Sequence, residues 1–177
     1  MIQRLMRVLG TGTLLLGTVG ATVLPSHADP RAAAIPRCQP GELYIALVPH
    51  DGQGATGHLD VVFSVTSVAQ ASCYLYGYPG IQLINAGGQD IGTHLTWGGG
   101  FFFANRPKRY VVLATGKTAY FALGWTHLPT PGQSCPTTKY LLVTPPDGYT
   151  PVVVPATLQQ VCGGAISASP ITTSSAP

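Results

Sequence analysis

Charge is what this sequence has least of. Only 8% of its 177 residues are Asp, Glu, Lys or Arg, and Glu42 is the single glutamate. A paired-glutamate acid/base site is therefore excluded, and Asp51, Asp60, Asp90 and Asp147 are scattered along the chain. Beyond residue 28 there are seven basic side chains against six acidic ones, a net charge of +1. Phosphate backbones need a surplus of cations, so nucleic acid is not an expected partner. Helical periodicity is missing as well: past residue 28, no stretch of about 11 residues keeps apolar side chains on one helical face. Neither a Gly-x-Ser-x-Gly elbow nor a His-Glu-x-x-His pair occurs, so no hydrolase nucleophile or base stands in a recognised context. No two cysteines sit at Cys-x-x-Cys spacing, which weakens a zinc site as the alternative role for them.

The chain starts with a pattern read by export machinery. Arg4 and Arg7 give a basic start, residues 8–24 run without a charge, and Ser26-His27-Ala28 offers small residues where a signal peptidase reads. Residues 1–28 are expected to be a secretory signal peptide cleaved after Ala28. The rival is an uncleaved anchor, but the 17-residue run is short of the ~20 that a span needs. Cys38 follows Arg37 rather than the apolar run, the wrong context for lipid attachment. Residues 29–37, rich in Ala and Pro, read as a linker, 38–171 as one domain, and 172–177 as a flexible tail. The 149 residues past the cleavage point suffice for a real core.

All four cysteines, Cys38, Cys73, Cys135 and Cys162, lie in that part. An even number in an exported chain reads as two disulfides. Three connectivities are open. Cys38–Cys73 with Cys135–Cys162 is favoured, because it staples neighbouring segments at each end of the domain.

The rest reads as short strands. Residues 58–67 are the clearest: Leu59, Val61, Phe63 and Val65 alternate with Asp60, Ser64 and Thr66, interrupted by Val62. Further strands are expected at 43–48, 73–76, 81–85, 90–95, 110–113, 118–125, 140–144 and 165–171. Residues 149–154 contain Pro151 and fit an edge. Residues 49–54 read as a loop and 156–162 as one helical turn. Many strands with turn signals every ~8–12 residues point to an all-β, antiparallel sandwich.

Three constellations could carry function. His50, Asp51, His58 and Asp60 offer imidazoles and carboxylates to a divalent ion; the plainer reading is loop residues and solvent-facing strand positions. Tyr74, Tyr76 and Tyr78 alternate, as one strand face beside the Cys73 bridge would, with their hydroxyls reaching the surface. Residues 97–109 combine three glycines, four aromatics and three cations. If exposed, this is a sticky, basic-rimmed loop, with Trp97, Phe101, Phe102, Arg106, Lys108 and Arg109 as the contact residues. The opposing reading points Phe101 and Phe103 into the core and lays Phe102 over a seam.

Several of these segments together carry a resemblance. Gly57-His58 leads into Val61-Val62-Phe63-Ser64-Val65-Thr66; Cys73-Tyr74-Leu75-Tyr76-Gly77-Tyr78-Pro79-Gly80 follows. Leu113-Ala114-Thr115-Gly116-Lys117, Leu142-Val143-Thr144-Pro145-Pro146 and Ser169-Pro170-Ile171 come later. Over residues 38–171 the chain resembles an exported actinobacterial family known as a domain of unknown function, DUF4232. The resemblance implies an immunoglobulin-like sandwich outside the membrane and brings no catalytic residues. Many relatives look like lipoproteins, and this chain departs from them in lacking the acylated cysteine.

The expected protein is thus an immunoglobulin-like antiparallel β-sandwich stapled by two disulfides. It is secreted or extracellular and associated with the cell wall, without cofactor, metal or stable membrane span. Its expected role is non-catalytic binding of an envelope protein or glycan. The alternatives are an accessory domain of an exported complex and an extracellular hydrolase of unrecognised type.

Overall fold

A computed structural model describes residues 34–175. The expected signal peptide, 1–28, and the first residues of the linker lie outside the described residues. Eleven strands follow in order: β1 (Leu43–Leu47), β2 (Gln53–Ala55), β3 (His58–Ser67), β4 (Cys73–Tyr76), β5 (Gly80–Ile84), β6 (His94–Trp97), β7 (Tyr110–Leu113), β8 (Thr118–Thr126), β9 (Tyr140–Thr144), β10 (Val152–Pro155) and β11 (Ala165–Ala168). Among the described residues the helical content is two single 3-10 turns, Pro40–Glu42 and Cys162–Gly164.

The strands form a sheet in the order β1-β3-β8-β11-β6 with β2 added to β3, a sheet β10-β9-β5, and the pair β4-β7. All these pairs are antiparallel except β11 with β6. The longest ladder, β3 on β8, runs from His58 opposite Thr126 to Thr66 opposite Thr118. Its alternation sends Phe63, Val65, Ala119, Phe121 and Leu123 into one apolar core. Leu75, Leu83, Val111, Leu141 and Val154 reach that same core from the other two sheets. Phe63 and Phe121 stack at its middle, ring centroids 5.2 Å apart. The disulfides are Cys38–Cys73 and Cys135–Cys162, the favoured connectivity.

Several expectations need correction. Residues 53–55, expected in a loop, form β2, which folds back on β3 with Gln53 opposite Asp60. Asp60 therefore does not face solvent; it is 2% exposed. Opposite it on the other side stands Gly124 of β8, and the aromatic ring of Phe103 lies over that glycine. The strand expected at 90–95 sits at His94–Trp97, so Trp97 belongs to a sheet rather than to the loop that follows. The helical turn expected at 156–162 is a 3-10 turn at Cys162–Gly164 instead. Backbone pairing also passes both expected domain limits. Pro36 and Cys38 exchange hydrogen bonds with Tyr74, and Thr172 exchanges two with Tyr120. No helix among the described residues is long and apolar enough to cross a membrane.

Candidate functional site

The site is built on the period-two alternation of β4. Cys73 and Leu75 point inward, which turns Tyr74 and Tyr76 outward. β7 lies alongside with Tyr76 opposite Tyr110 and Tyr74 opposite Val112. There Val111 and Leu113 are buried while Tyr110 and Val112 are exposed. The Tyr76 and Tyr110 rings stack 4.5 Å apart, and Tyr74 meets Tyr110 edge-on at 5.3 Å. Lys108, two residues ahead of Tyr110, places its Nζ 5.7 Å from the centre of the Tyr76 ring, within cation–π range.

After Tyr76 the chain turns at Gly77, whose φ of 110° lies where side chains are disfavoured. The turn carries Tyr78 to Trp97 at the end of β6. Their rings stack nearly parallel, 5.9 Å apart. Both polar tips are satisfied internally: Trp97 Nε1–H donates to the Pro79 carbonyl at 3.0 Å, and the Tyr78 hydroxyl donates to Asn105 Oδ1 at 3.0 Å. The rings are thus held in place with 60% of Trp97 still open to solvent. Between these aromatics and residues 144–148 runs a groove of about 310 Å³, lined also by Lys108, Thr144 and Asp147. Asp147 is anchored by Arg37, which donates to its carbonyl at 3.0 Å and pairs with its carboxylate at 3.5 Å.

The six contact residues expected from sequence fall in three places. Trp97 and Lys108 meet in this groove. Arg106 and Arg109 line a wider depression of about 550 Å³ with Tyr110 and Thr172. Phe101 is 59% exposed and stacks on His58 at 4.3 Å, with Phe102 edge-on to it at 4.9 Å. Neither reading of the three phenylalanines holds entirely, because only Phe103 is buried. Its ring fills a slot closed by Gly100, Gly124 and Ser167; a Cβ on Gly100 would come within 2.6 Å of the ring. That packing explains part of the glycine run and fixes the loop to the sheet.

Tyr76, Tyr78 and Asp147, which line the groove, and Tyr110, which stacks on Tyr76, were not assigned to a site by the sequence reading. The signal was present in the alternation of Tyr74, Tyr76 and Tyr78 against Cys73 and Leu75. A cysteine that must be buried for its disulfide decides which face is inside.

The possible metal set is not assembled. Among the described residues no three His, Cys, Asp or Glu side chains gather. His58 is engaged with Phe101, and Asp60 is buried with Oδ1 accepting the Gln53 backbone N–H. Among the described residues nothing donates to Asp60 Oδ2. Burial holds this carboxyl above its ordinary value near 3.8, the Gln53 N–H partly offsets that, and the charge of Asp51 adds to it. A folded state that binds this proton more tightly than the unfolded chain loses stability as pH rises from about 4 through the raised folded value. Asp60→Asn keeps the shape and the acceptor without the buried charge. It is expected to add about 1 kcal/mol at pH 7. Urea unfolding at pH 3 and pH 7 checks this: the gain should shrink at pH 3, and a loss of stability at pH 7 would refute the assignment.

No curated protein and no solved structure matches the chain. A family model described as a domain of unknown function, DUF4232, matches residues 38–172. That match takes in every strand and both disulfides, and the chain belongs to this family.

Proposed function

We propose that this protein is an exported, non-catalytic binding module of the cell envelope, built as an immunoglobulin-like β-sandwich. One observation carries the reading: the Tyr78–Trp97 pair is fixed by internal hydrogen bonds, yet 60% of Trp97 is open to solvent. Large aromatics held rigidly at the surface are the usual anchors of recognition surfaces. Holding the rings in one arrangement lowers the entropy lost on binding.

Other features agree. Two disulfides suit an oxidising compartment outside the cytoplasm. The same bridges leave no free thiol to act as a nucleophile. In the groove, Asp147 is paired with Arg37 and so is poorly suited to proton transfer. A sandwich fills one core from the inner faces of opposed sheets, and a single core filled by the large sheet together with the two smaller ones agrees with that.

The test is retention of cell-envelope material by purified, oxidised protein beside Trp97→Ala and Lys108→Gln, with near-UV circular dichroism as the check on folding. Retention that falls at least threefold in both folded variants supports the module. Equal retention by all three proteins places binding elsewhere, and no retention by the wild type removes the proposal.

A further inference from the structure

The groove differs from an apolar slot in three respects, and these point to its ligand. First, the polar atoms of Trp97 and Tyr78 are already bonded to Pro79 and Asn105. What they offer a ligand is ring surface. A ligand that uses ring surface while needing hydrogen bonds around its edge has one apolar face and a polar rim, as a pyranose does. Second, the groove's other wall supplies such a rim: the Thr144 hydroxyl can give or take a hydrogen bond, the Asp147 carboxylate accepts, and the Lys108 ammonium donates. Third, the local charge is unbalanced. Asp147 is neutralised by Arg37, which leaves Lys108 as the uncompensated charge of the groove. Tyr110, stacked on the groove residue Tyr76, continues the aromatic surface into the depression lined by Arg109.

Other ligands fit less well. A quaternary ammonium would need the face of Tyr76 over which Lys108 stands. A peptide strand adding to the outer edge of β4 would find it taken, since Pro36 and Cys38 already hydrogen-bond Tyr74 there. Nucleic acid would need a denser set of cations than the chain possesses.

We propose that the Tyr78–Trp97–Lys108 groove binds an acidic polysaccharide. One sugar ring lies against Trp97, and its carboxylate or phosphate substituent meets Lys108. The following sugar crosses Tyr110 toward Arg109. This assignment rests on the binding-module reading and gives it a ligand class. The cation–anion pair is solvent-exposed and screened by salt, so it selects among sugars more than it tightens binding. The ring contact supplies the larger share of affinity.

Isothermal titration of the oxidised protein tests this with four probes: tetragalacturonate, a 6-phosphorylated mannose tetramer, a neutral galactose tetramer and a proline decapeptide. At least one acidic tetramer should bind tenfold or more tightly than the neutral one, and the two acidic arms tell carboxylate from phosphate. Trp97→Ala should weaken that binding tenfold or more. Lys108→Gln should weaken it about threefold to tenfold, with Lys108→Arg restoring most of it and the salt dependence reduced only in the Gln variant. Phe101→Ala, which lies in a different depression, should leave it unchanged. Equal affinity for neutral and acidic tetramers, no binding of either at millimolar concentration, tighter binding of the decapeptide, or indifference to both groove substitutions would each overturn the proposal. Envelope retention that depends on Trp97 but is abolished by protease, with no sugar bound in titration, would overturn the ligand class while leaving the module standing.

Discussion

Phe121→Ala is expected to lower the stability of the fold by about 3–5 kcal/mol, the range for truncating a fully buried aromatic. Phe121 is at the middle of the β3–β8 ladder, where it stands opposite Phe63 and stacks on it with the rings 9° from parallel. Both rings are essentially inaccessible to solvent. Removing one loses its transfer energy and leaves a cavity lined by the other, against which the surrounding sheets can collapse only partly. Natural domains retain about 5–15 kcal/mol in total, so the variant should be marginal at 37 °C. Urea unfolding reads the loss directly, and Phe121→Leu, which refills much of the space, should recover at least half of it. The two truncations Phe63→Ala and Phe121→Ala share one cavity and should not be additive. Trp97→Ala, at a residue 60% exposed, should cost far less, about 1 kcal/mol for the lost Tyr78 stack and the hydrogen bond to Pro79. A loss below about 1 kcal/mol for Phe121→Ala would mean that the stacked pair is not the centre of the core.

That centre was legible in the chain because Phe63 lies in a strand with a clean period of two. A period of two fixes which side chains share a face, and a long run of it makes the strand unmistakable. Both disulfides were legible for a related reason, since few cysteines leave few pairings. What escaped was short or polar. β2 is Gln53-Gly54-Ala55, with nothing in its composition to say strand; only the pairing against His58–Asp60 makes it one. Alternation put Asp60 rightly on the face away from Phe63, but it could not show that β2 folds back beside it or that Phe103, from a loop distant in sequence, covers Gly124 opposite it on that face. β6 was displaced by several residues because its partner is the parallel strand β11, far along the chain, and local pattern carries no trace of that register. The groove was half legible. Trp97 and Lys108 announced themselves as an aromatic and a cation near glycines. Tyr76, Tyr78 and Tyr110 did not, because an alternating tyrosine reads equally well as a packed strand face. Only the sheet, by burying Cys73, Leu75, Val111 and Leu113, shows that the tyrosines are on its outer side. Asp147 gave no signal at all, since it joins the groove through a turn after β9 and a contact with Arg37 from the other end of the domain.

Removing the Cys38–Cys73 bridge should cost about 3–4 kcal/mol and should also disturb the groove; removing Cys135–Cys162 should cost about as much and leave the groove intact. The bridges close stretches of 35 and 27 residues, and in the chain-entropy account both lengths give nearly the same restriction of the unfolded state, about 3–4 kcal/mol. The difference lies in what each holds. Cys73 begins β4, and the Cys38 backbone N–H donates to the Tyr74 carbonyl while the Tyr74 N–H donates to Pro36. Arg37, between those two residues, is the partner that positions Asp147. Without the bridge, segment 36–38 is held to β4 by its two backbone bonds with Tyr74 and by the Arg37–Asp147 contact, so the edge of β4 opens more readily and the anchor of Asp147 is less fixed. The second bridge ties the loop before β9 to the 3-10 turn at Cys162–Gly164, remote from the tyrosines in the chain and absent from the groove lining. The comparison uses paired alanine variants, Cys38→Ala with Cys73→Ala and Cys135→Ala with Cys162→Ala, so that no free thiol remains to reshuffle. Thermal unfolding should fall in both, whereas amide exchange at Tyr74 and Tyr76 should quicken at least tenfold more in the first. Equal protection of those two amides in both variants would show that segment 36–38 stays on β4 without the bridge, and that the bridge and the groove are independent. An unchanged melting temperature in the first variant would mean that the disulfide adds nothing to the fold.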